Sequence, residues 1–151
     1  MMDDLKELYQ EVILDHSKHP RNFGRLDPCS HEAHGYNPLC GDTVNVFLNL
    51  TSDKVIEDIY FDGKGCAISM ASASLMSEIV KGKTKEQAHI LFENFHNLVT
   101  KDEEFQPADE DMERLLVLAG VKQFPMRVKC ATLSWHALQS ALNGNTDTAT
   151  E

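Results

Sequence analysis

Two stretches of alternating apolar residues, joined by a short polar turn, constrain this chain more than any other feature. The first is "TVNVFLNL", with Val44, Val46, Leu48 and Leu50 separated by more polar neighbours. Alternation of period two marks a half-buried strand, because successive side chains point to opposite faces. "TSDK" supplies turn residues, and "VIEDIYFDG" follows with Val55, Ile59 and Phe61 on a second strand. The expected unit is an antiparallel hairpin. "GKGCAI" reads as a third, short strand ending near Cys66.

Helical spacing surrounds this core. Leu5, Leu8, Tyr9, Val12 and Ile13 predict a helix over 3–17, ending before Pro20. Residues 18–39 carry Pro20, Gly24, Pro28, Gly35 and Pro38, which is loop chemistry. A helix from Ser69 to about Lys81 is closed by Gly82, and its Ala71, Ser72, Ala73 and Ser74 would let another backbone approach closely. Thr84 opens a further helix, striped by Ala88, Leu91, Phe92, Phe95 and Leu98. "DMERLLVLAG" predicts a short helix ending at Gly120, and "KQFPMRVKC" a loop with Pro125 near a helix start. "ATLSWHALQSALNG" is the last helix. The polar tail 144–151 is expected to be disordered, which leaves 1–143 as a single domain. At 151 residues the chain is long enough for one domain with a real core.

A net charge of −10 disfavours generic nucleic-acid binding, since phosphates would be repelled. No apolar run approaches the roughly 20 residues of a membrane helix. "MMDDLKELYQ" is acidic and amphipathic, unlike a signal peptide, so a cytoplasmic location is expected. In that reducing setting the cysteines Cys29, Cys40, Cys66 and Cys130 suit metal ligation or thiol chemistry better than disulfides. Their wide spacing excludes a local zinc knuckle, so any shared site must be assembled by the fold.

Three of the four lie at element edges. Cys40 sits in "YNPLCGDTV", bent by Pro38 and Gly41, with Asp42 two residues on. Cys66 lies at a strand-to-helix junction behind Gly63 and Gly65, and Cys130 at or near a helix N-terminus beside Arg127 and Lys129. Helix N-termini and nearby cations favour thiolate over thiol. Three thiolates and one carboxylate suit tetrahedral zinc or an iron–sulfur cluster.

The stretches "YQEVILDHSKHPRNFG", "NPLCGD", "GKGCAISMASASLMSEIVKGK" and "QFPMRVKCATLSWHAL" resemble the U-type iron–sulfur cluster assembly family, and together they span most of residues 5 to 142. Lys129, where one branch of that family has a histidine, and the extra segment "KDEEFQPADEDMERLLVLAG" place the resemblance closest to the SufU branch. The resemblance implies an α+β fold, a small antiparallel three-stranded sheet with helices packed on one face, and an insert at about 101–120. It implies a zinc site from Cys40, Asp42, Cys66 and Cys130. It also implies a role as acceptor of persulfide sulfur from a PLP-dependent, SufS-like cysteine desulfurase, for delivery to a downstream cluster scaffold. Such a protein is a sulfurtransferase-like partner of the desulfurase rather than an independent enzyme.

Zinc keeps thiolates deprotonated without redox chemistry of its own. Cys40, on its turn, is the cysteine best placed to swing out as acceptor, while Cys66 and Cys130 hold the metal. Two alternatives stand beside this reading. One is a scaffold for a [2Fe–2S] cluster, against which Lys129 counts because an ammonium has no lone pair. The other is a structural zinc module, since four protein ligands close a tetrahedral site.

Other residues read more plainly. Cys29 is a bystander. His31 and His34 form H-x-x-H in a loop and are expected to be surface histidines. His16 and His19 close the first helix, where cations suit the dipole. His136 packs or faces solvent. Arg127 is expected to bind Asp42 or reach the partner, as its planar fork suits carboxylates. The acidic run 101–114 reads as a solvated face or a docking segment for a basic patch.

Overall fold

The computed structural model describes residues 2–39, 41–101, 109–144 and 147–149, with side chains described from residue 7 to residue 144 of these. Cys40 and residues 102–108 therefore lie outside the described residues. The chain runs α1 (Met2–Lys18), β1 (His31–Asn37), β2 (Asp42–Leu50), β3 (Ile56–Lys64), α2 (Ala67–Val80), α3 (Lys85–Thr100) and α4 (Glu110–Leu115). A 3-10 helix (Leu116–Gln123), α5 (Pro125–Leu142) and β4 (Asp147–Ala149) complete it.

The hairpin forms as its alternation predicts. β2 pairs antiparallel with β3, setting Val44 opposite Gly63 and Val46 opposite Phe61. The third antiparallel strand is not "GKGCAI". Gly63 and Lys64 end β3, and Cys66 already caps α2. The third strand is β1, "HEAHGYN", within the segment whose prolines and glycine suggest a loop, and it pairs antiparallel with β2. Its central Ala33, Gly35 and Asn37 alternate inward, but with so little apolar bulk that the pattern is faint in the sequence. Gly35 lets α5 lie close there: a Cβ would stand 3.1 Å from Leu133 Cδ1 and 3.3 Å from Ala137 Cβ, so those side chains would have to give by a few tenths of an ångström. The sheet order is β3-β2-β1-β4, with β4 added parallel to β1. β4 falls in the tail expected to be disordered; it takes the open edge of β1, whose backbone groups would otherwise lack partners.

α2 and α5 cover one face of the sheet, and α1 packs on α2. Trp135 of α5 is fully buried, stacks on Phe95 of α3 with ring centroids 5.0 Å apart, and donates its indole N–H to Ser72 Oγ at 3.2 Å. The small residues of α2 do admit a close backbone. Ser72 Oγ donates to Ala131 O, and Ser69 Oγ lies 3.3 Å from Cys130 O, both on α5. The opposite face of the sheet is not bare. Phe47 is only 2% exposed, with the Arg25 guanidinium 5.1 Å from its ring centroid, so β2 is buried on both faces there.

Helix boundaries also shift. Thr84 accepts from Gln87 N–H while the Gln87 side chain accepts from Thr84 N–H, a capping box with glutamine in the place glutamate often takes. α4 passes at Leu116 into the 3-10 helix, which runs on through Gly120 to Gln123. α5 starts at Pro125, whose missing N–H costs nothing at the first helical position. Among the described residues no helix is long and apolar enough to cross a membrane.

Candidate metal centre

The site lies at the sheet end where β1 finishes, β2 begins and β3 finishes. Asp42 is the first residue of β2, Cys66 caps α2, and Cys130 sits in the second turn of α5. Residues 24 and 64 positions apart in the chain from Cys66 meet because β3 runs straight into α2, and α5 lies alongside α2. The ligand atoms of Asp42, Cys66 and Cys130 all fall within 4.8 Å of one another. Asp42 and Cys130 are buried, while Cys66 is exposed. The centre thus opens to solvent on the Cys66 side.

Two glycines make this convergence possible. Gly63 has φ +142°, and a Cβ on it would lie 2.1 Å from Thr43 O. Only glycine allows β3 to run that close to β2 just before the junction. At Gly65 a Cβ would stand 3.0 Å from both Asp42 Cγ and Oδ1. Its absence leaves the carboxylate room to lie against the start of α2. There Asp42 Oδ1 accepts the Cys66 backbone N–H at 3.2 Å, and Oδ2 lies 3.8 Å from Cys66 Sγ.

The donor set fits a zinc ion. With Zn–S near 2.3 Å and Zn–O near 2.1 Å, tetrahedral geometry separates a sulfur and an oxygen ligand by about 3.6 Å. The 3.8 Å between Cys66 Sγ and Asp42 Oδ2 is close to that spacing. Two sulfurs and one oxygen are also ligands of the softness zinc accepts. Cys40, two residues before Asp42, is the residue that sequence reasoning names as the fourth ligand.

Ser69 escapes the sequence reading. Its hydroxyl is 1% exposed as a residue and donates to Asp42 Oδ2 at 2.6 Å. The only signal for it is its place three residues after Cys66, which puts it in the first turn of the same helix.

The remaining expected residues are placed as follows. Arg127 is exposed, with its guanidinium 4.6 Å from the ring centroid of Phe124. Both line an apolar groove between α1 and the 3-10 helix, with Ile13, Ile68 and Val117. Lys129 is half-buried on α5. Cys29 is not part of the thiol group, and burial, then Glu32 and Asp27, push its thiol up. His31 and His34 lie on strand β1 rather than in a loop. Three residues apart on a strand, they face opposite sides and cannot share a metal. His34 bonds Asn45 Oδ1 at 2.7 Å, and His31 bonds Ser30 Oγ at 2.8 Å. His136 packs edge-on against Phe92, centroids 5.1 Å apart.

His16 is not the exposed cation that its place at a helix end suggests. It is 6% exposed, and its Nδ1 lies 2.7 Å from Ser74 Oγ. Burial, with the Arg21 charge beside it, holds the imidazole below its usual range. From the acidic run, Asp109 caps α4 by accepting the Met112 N–H at 3.0 Å, and Asp111 pairs with Lys83 at 2.9 Å.

Fold and site together define a class: a small α+β domain that gathers thiols and a carboxylate at one end of its sheet. Residues 8–131 match the family model described as the NifU-like N terminal domain, and the chain belongs to that family, the U-type iron–sulfur assembly proteins. It is 43% identical over 141 residues to the iron–sulfur cluster assembly scaffold protein IscU of Streptococcus pyogenes, covering 93% of this chain and 86% of that one. It is 42% identical over 139 residues to the zinc-dependent sulfurtransferase SufU of Bacillus subtilis, covering 92% of each. Among solved structures, a candidate scaffold protein for the SUF system of Fervidobacterium islandicum superposes with a TM-score of 0.80 at 37% identity, over 90% of this chain and 97% of that one.

Proposed function

We propose that this protein serves iron–sulfur cluster assembly as a zinc-holding acceptor of persulfide sulfur. Cys40, Asp42, Cys66 and Cys130 would hold the metal, and Cys40 would take the sulfur. The observation that carries the reading is the convergence of Asp42, Cys66 and Cys130 within 4.8 Å at a solvent-open sheet end. Likeness over nearly the full chain to a protein named as a zinc-dependent sulfurtransferase supports it.

Zinc, when bound, keeps the thiols ionised at neutral pH and adds no redox reactivity. The chain's own residues do the rest. The Cys40 thiolate attacks the outer sulfur of a persulfide on a PLP-dependent cysteine desulfurase. A new S–S bond forms at Cys40, the donor's S–S bond breaks, and the donor cysteine leaves as thiolate. No net oxidation occurs, since one persulfide replaces another. Asp42 and Cys130 are buried, and the exposed Cys66 marks the open side of the site. Arg127, exposed and stacked on Phe124 beside an apolar groove, suits contact with a carboxylate of the partner.

The test is turnover of a SufS-like desulfurase with this protein added. Wild type should stimulate it and Cys40→Ala should not; full stimulation by Cys40→Ala refutes the acceptor role. A second reading, a scaffold that builds a [2Fe–2S] cluster on the same ligands and passes it on, is favoured by the relative named as a scaffold. Anaerobic reconstitution separates the two, because only a scaffold yields a stable, transferable cluster with visible absorption. Loss of fold on zinc removal, with no response from any desulfurase, would leave a structural zinc module.

A further inference from the structure

Asp42 poses a positional problem. The terminal torsion of an aspartate is broad and roughly two-fold, so the backbone of β2 does not by itself set the carboxylate plane. A ligand that must meet two sulfurs on other elements needs that plane held. The start of α2 contacts both oxygens. The Cys66 N–H donates to Oδ1 at 3.2 Å, and the Ser69 hydroxyl donates to Oδ2 at 2.6 Å.

The geometry of Ser69 is unusual for a serine in a helix. Such hydroxyls commonly bond a carbonyl one turn back on their own helix. Ser69 Oγ instead reaches two other elements, Asp42 on β2 and, at 3.3 Å, the carbonyl of Cys130 on α5. Its oxygen also lies 3.8 Å from Cys66 Sγ. A hydroxyl has a single proton, and Asp42 Oδ2 at 2.6 Å, a carboxylate oxygen, is a stronger acceptor for it than the Cys130 carbonyl at 3.3 Å. Ser69 is therefore in touch with all three members of the centre while being too deep, at 1% exposure, to meet a partner protein.

We propose that Ser69 is a positioning residue, which locks the Asp42 carboxylate in the plane required for metal ligation. The inference rests on the reading of this site as a metal centre. Outer partners of metal ligands typically contribute 10–100-fold in affinity. Ser69→Ala should accordingly weaken zinc binding about tenfold or more. The same hydroxyl touches the Cys130 carbonyl, so a packing role between α2 and α5 is the competing account, and a double-mutant cycle decides between them.

The experiment measures zinc affinity by competition with a chromophoric chelator for wild type, Ser69→Ala, Asp42→Ala, the double variant and Ser69→Thr. Thermal melts of the metal-free forms accompany it. Serine-to-alanine suits this helix, whose neighbours include Ala71 and Ala73, and the threonine variant keeps a hydroxyl. The expected result is weakened binding in Ser69→Ala, binding within about threefold of wild type in Ser69→Thr, and no further loss when Ser69→Ala is added to Asp42→Ala. Equal zinc affinity in Ser69→Ala and wild type would overturn the role of Ser69 while leaving the centre intact. An equal loss in both backgrounds would assign Ser69 to packing. Failure of the wild type to bind zinc would remove the centre itself, and the inference with it.

Discussion

The junction between β3 and α2 can be tested most sharply at Gly63. Replacing it with alanine puts a Cβ 2.1 Å from Thr43 O, 2.9 Å from Thr43 C and 3.0 Å from Val44 Cα. Carbon–oxygen approaches in sheets settle near 3.3 Å, so the paired strands must separate locally by about 1 Å. The obstacle is backbone rather than a flexible side-chain end, and the φ of +142° is itself one that alanine resists. Backbone strain of about 1–3 kcal/mol adds to overpacking of about 1–3 kcal/mol. The reduced freedom of the unfolded chain returns roughly 0.4–1 kcal/mol. The net loss is therefore about 1–5.5 kcal/mol, with a midpoint on the order of 10 °C in melting temperature for a domain of this size. Gly82→Ala is the control. Its φ is +86°, but nothing lies within 4 Å of the added Cβ, so only backbone strain of about 1 kcal/mol remains. The assay is thermal and urea unfolding of the metal-free protein by circular dichroism. Indistinguishable melts for the two variants would refute the argument that close strand approach, rather than dihedral freedom, demands Gly63.

Gly65→Ala should act on the site more than on the fold. Its Cβ would press on Asp42 Cγ and Oδ1 and on Ser69 Cβ, each at 3.0 Å, so chelator competition should show zinc affinity down at least about tenfold, with the metal-free melt lowered less than in Gly63→Ala. Adding a strong chelator to zinc-loaded protein should lower its melting temperature, since a ligand at 1,000 times its Kd stabilises by about 4 kcal/mol; Cys130→Ser should show a much smaller chelator effect. Stability should also fall in mild acid. The folded state holds His16 below its ordinary 6.5, so below that pH the unfolded chain binds the proton more readily. The loss begins as pH drops through about 6.5 and continues until the lower folded value is passed. In urea titrations from pH 7.5 to 5, His16→Gln should flatten this slope. His136, also lowered by burial, shifts in the same direction and leaves a residual slope in that variant.

What the chain's order of residues determined is whatever depends on neighbours a few positions apart. Val44, Val46 and Leu48 alternate, so β2 is legible, and the stripe through Leu91, Phe95 and Leu98 makes α3 legible. Cys40 and Cys66 could be singled out as candidate ligands too, because glycines and prolines frame them in a way packing alone does not require. β1 was hidden because its inward residues, Ala33, Gly35 and Asn37, are small or polar to fit beneath α5, and period-two patterns are read from bulk. His16 was misread for a related reason. A helix end looks solvent-facing in sequence, and only the docking of α1 on α2 buries the ring against Ser74. Tertiary structure alone decided that Asp42, Cys66 and Cys130 lie within one ion's reach, and that the Ser69 hydroxyl meets the carboxylate. Those contacts join residues 24 to 88 positions apart, and no local rule of spacing encodes such distances. They follow from strands pairing edge to edge and from two small-residue helix faces meeting closely over them.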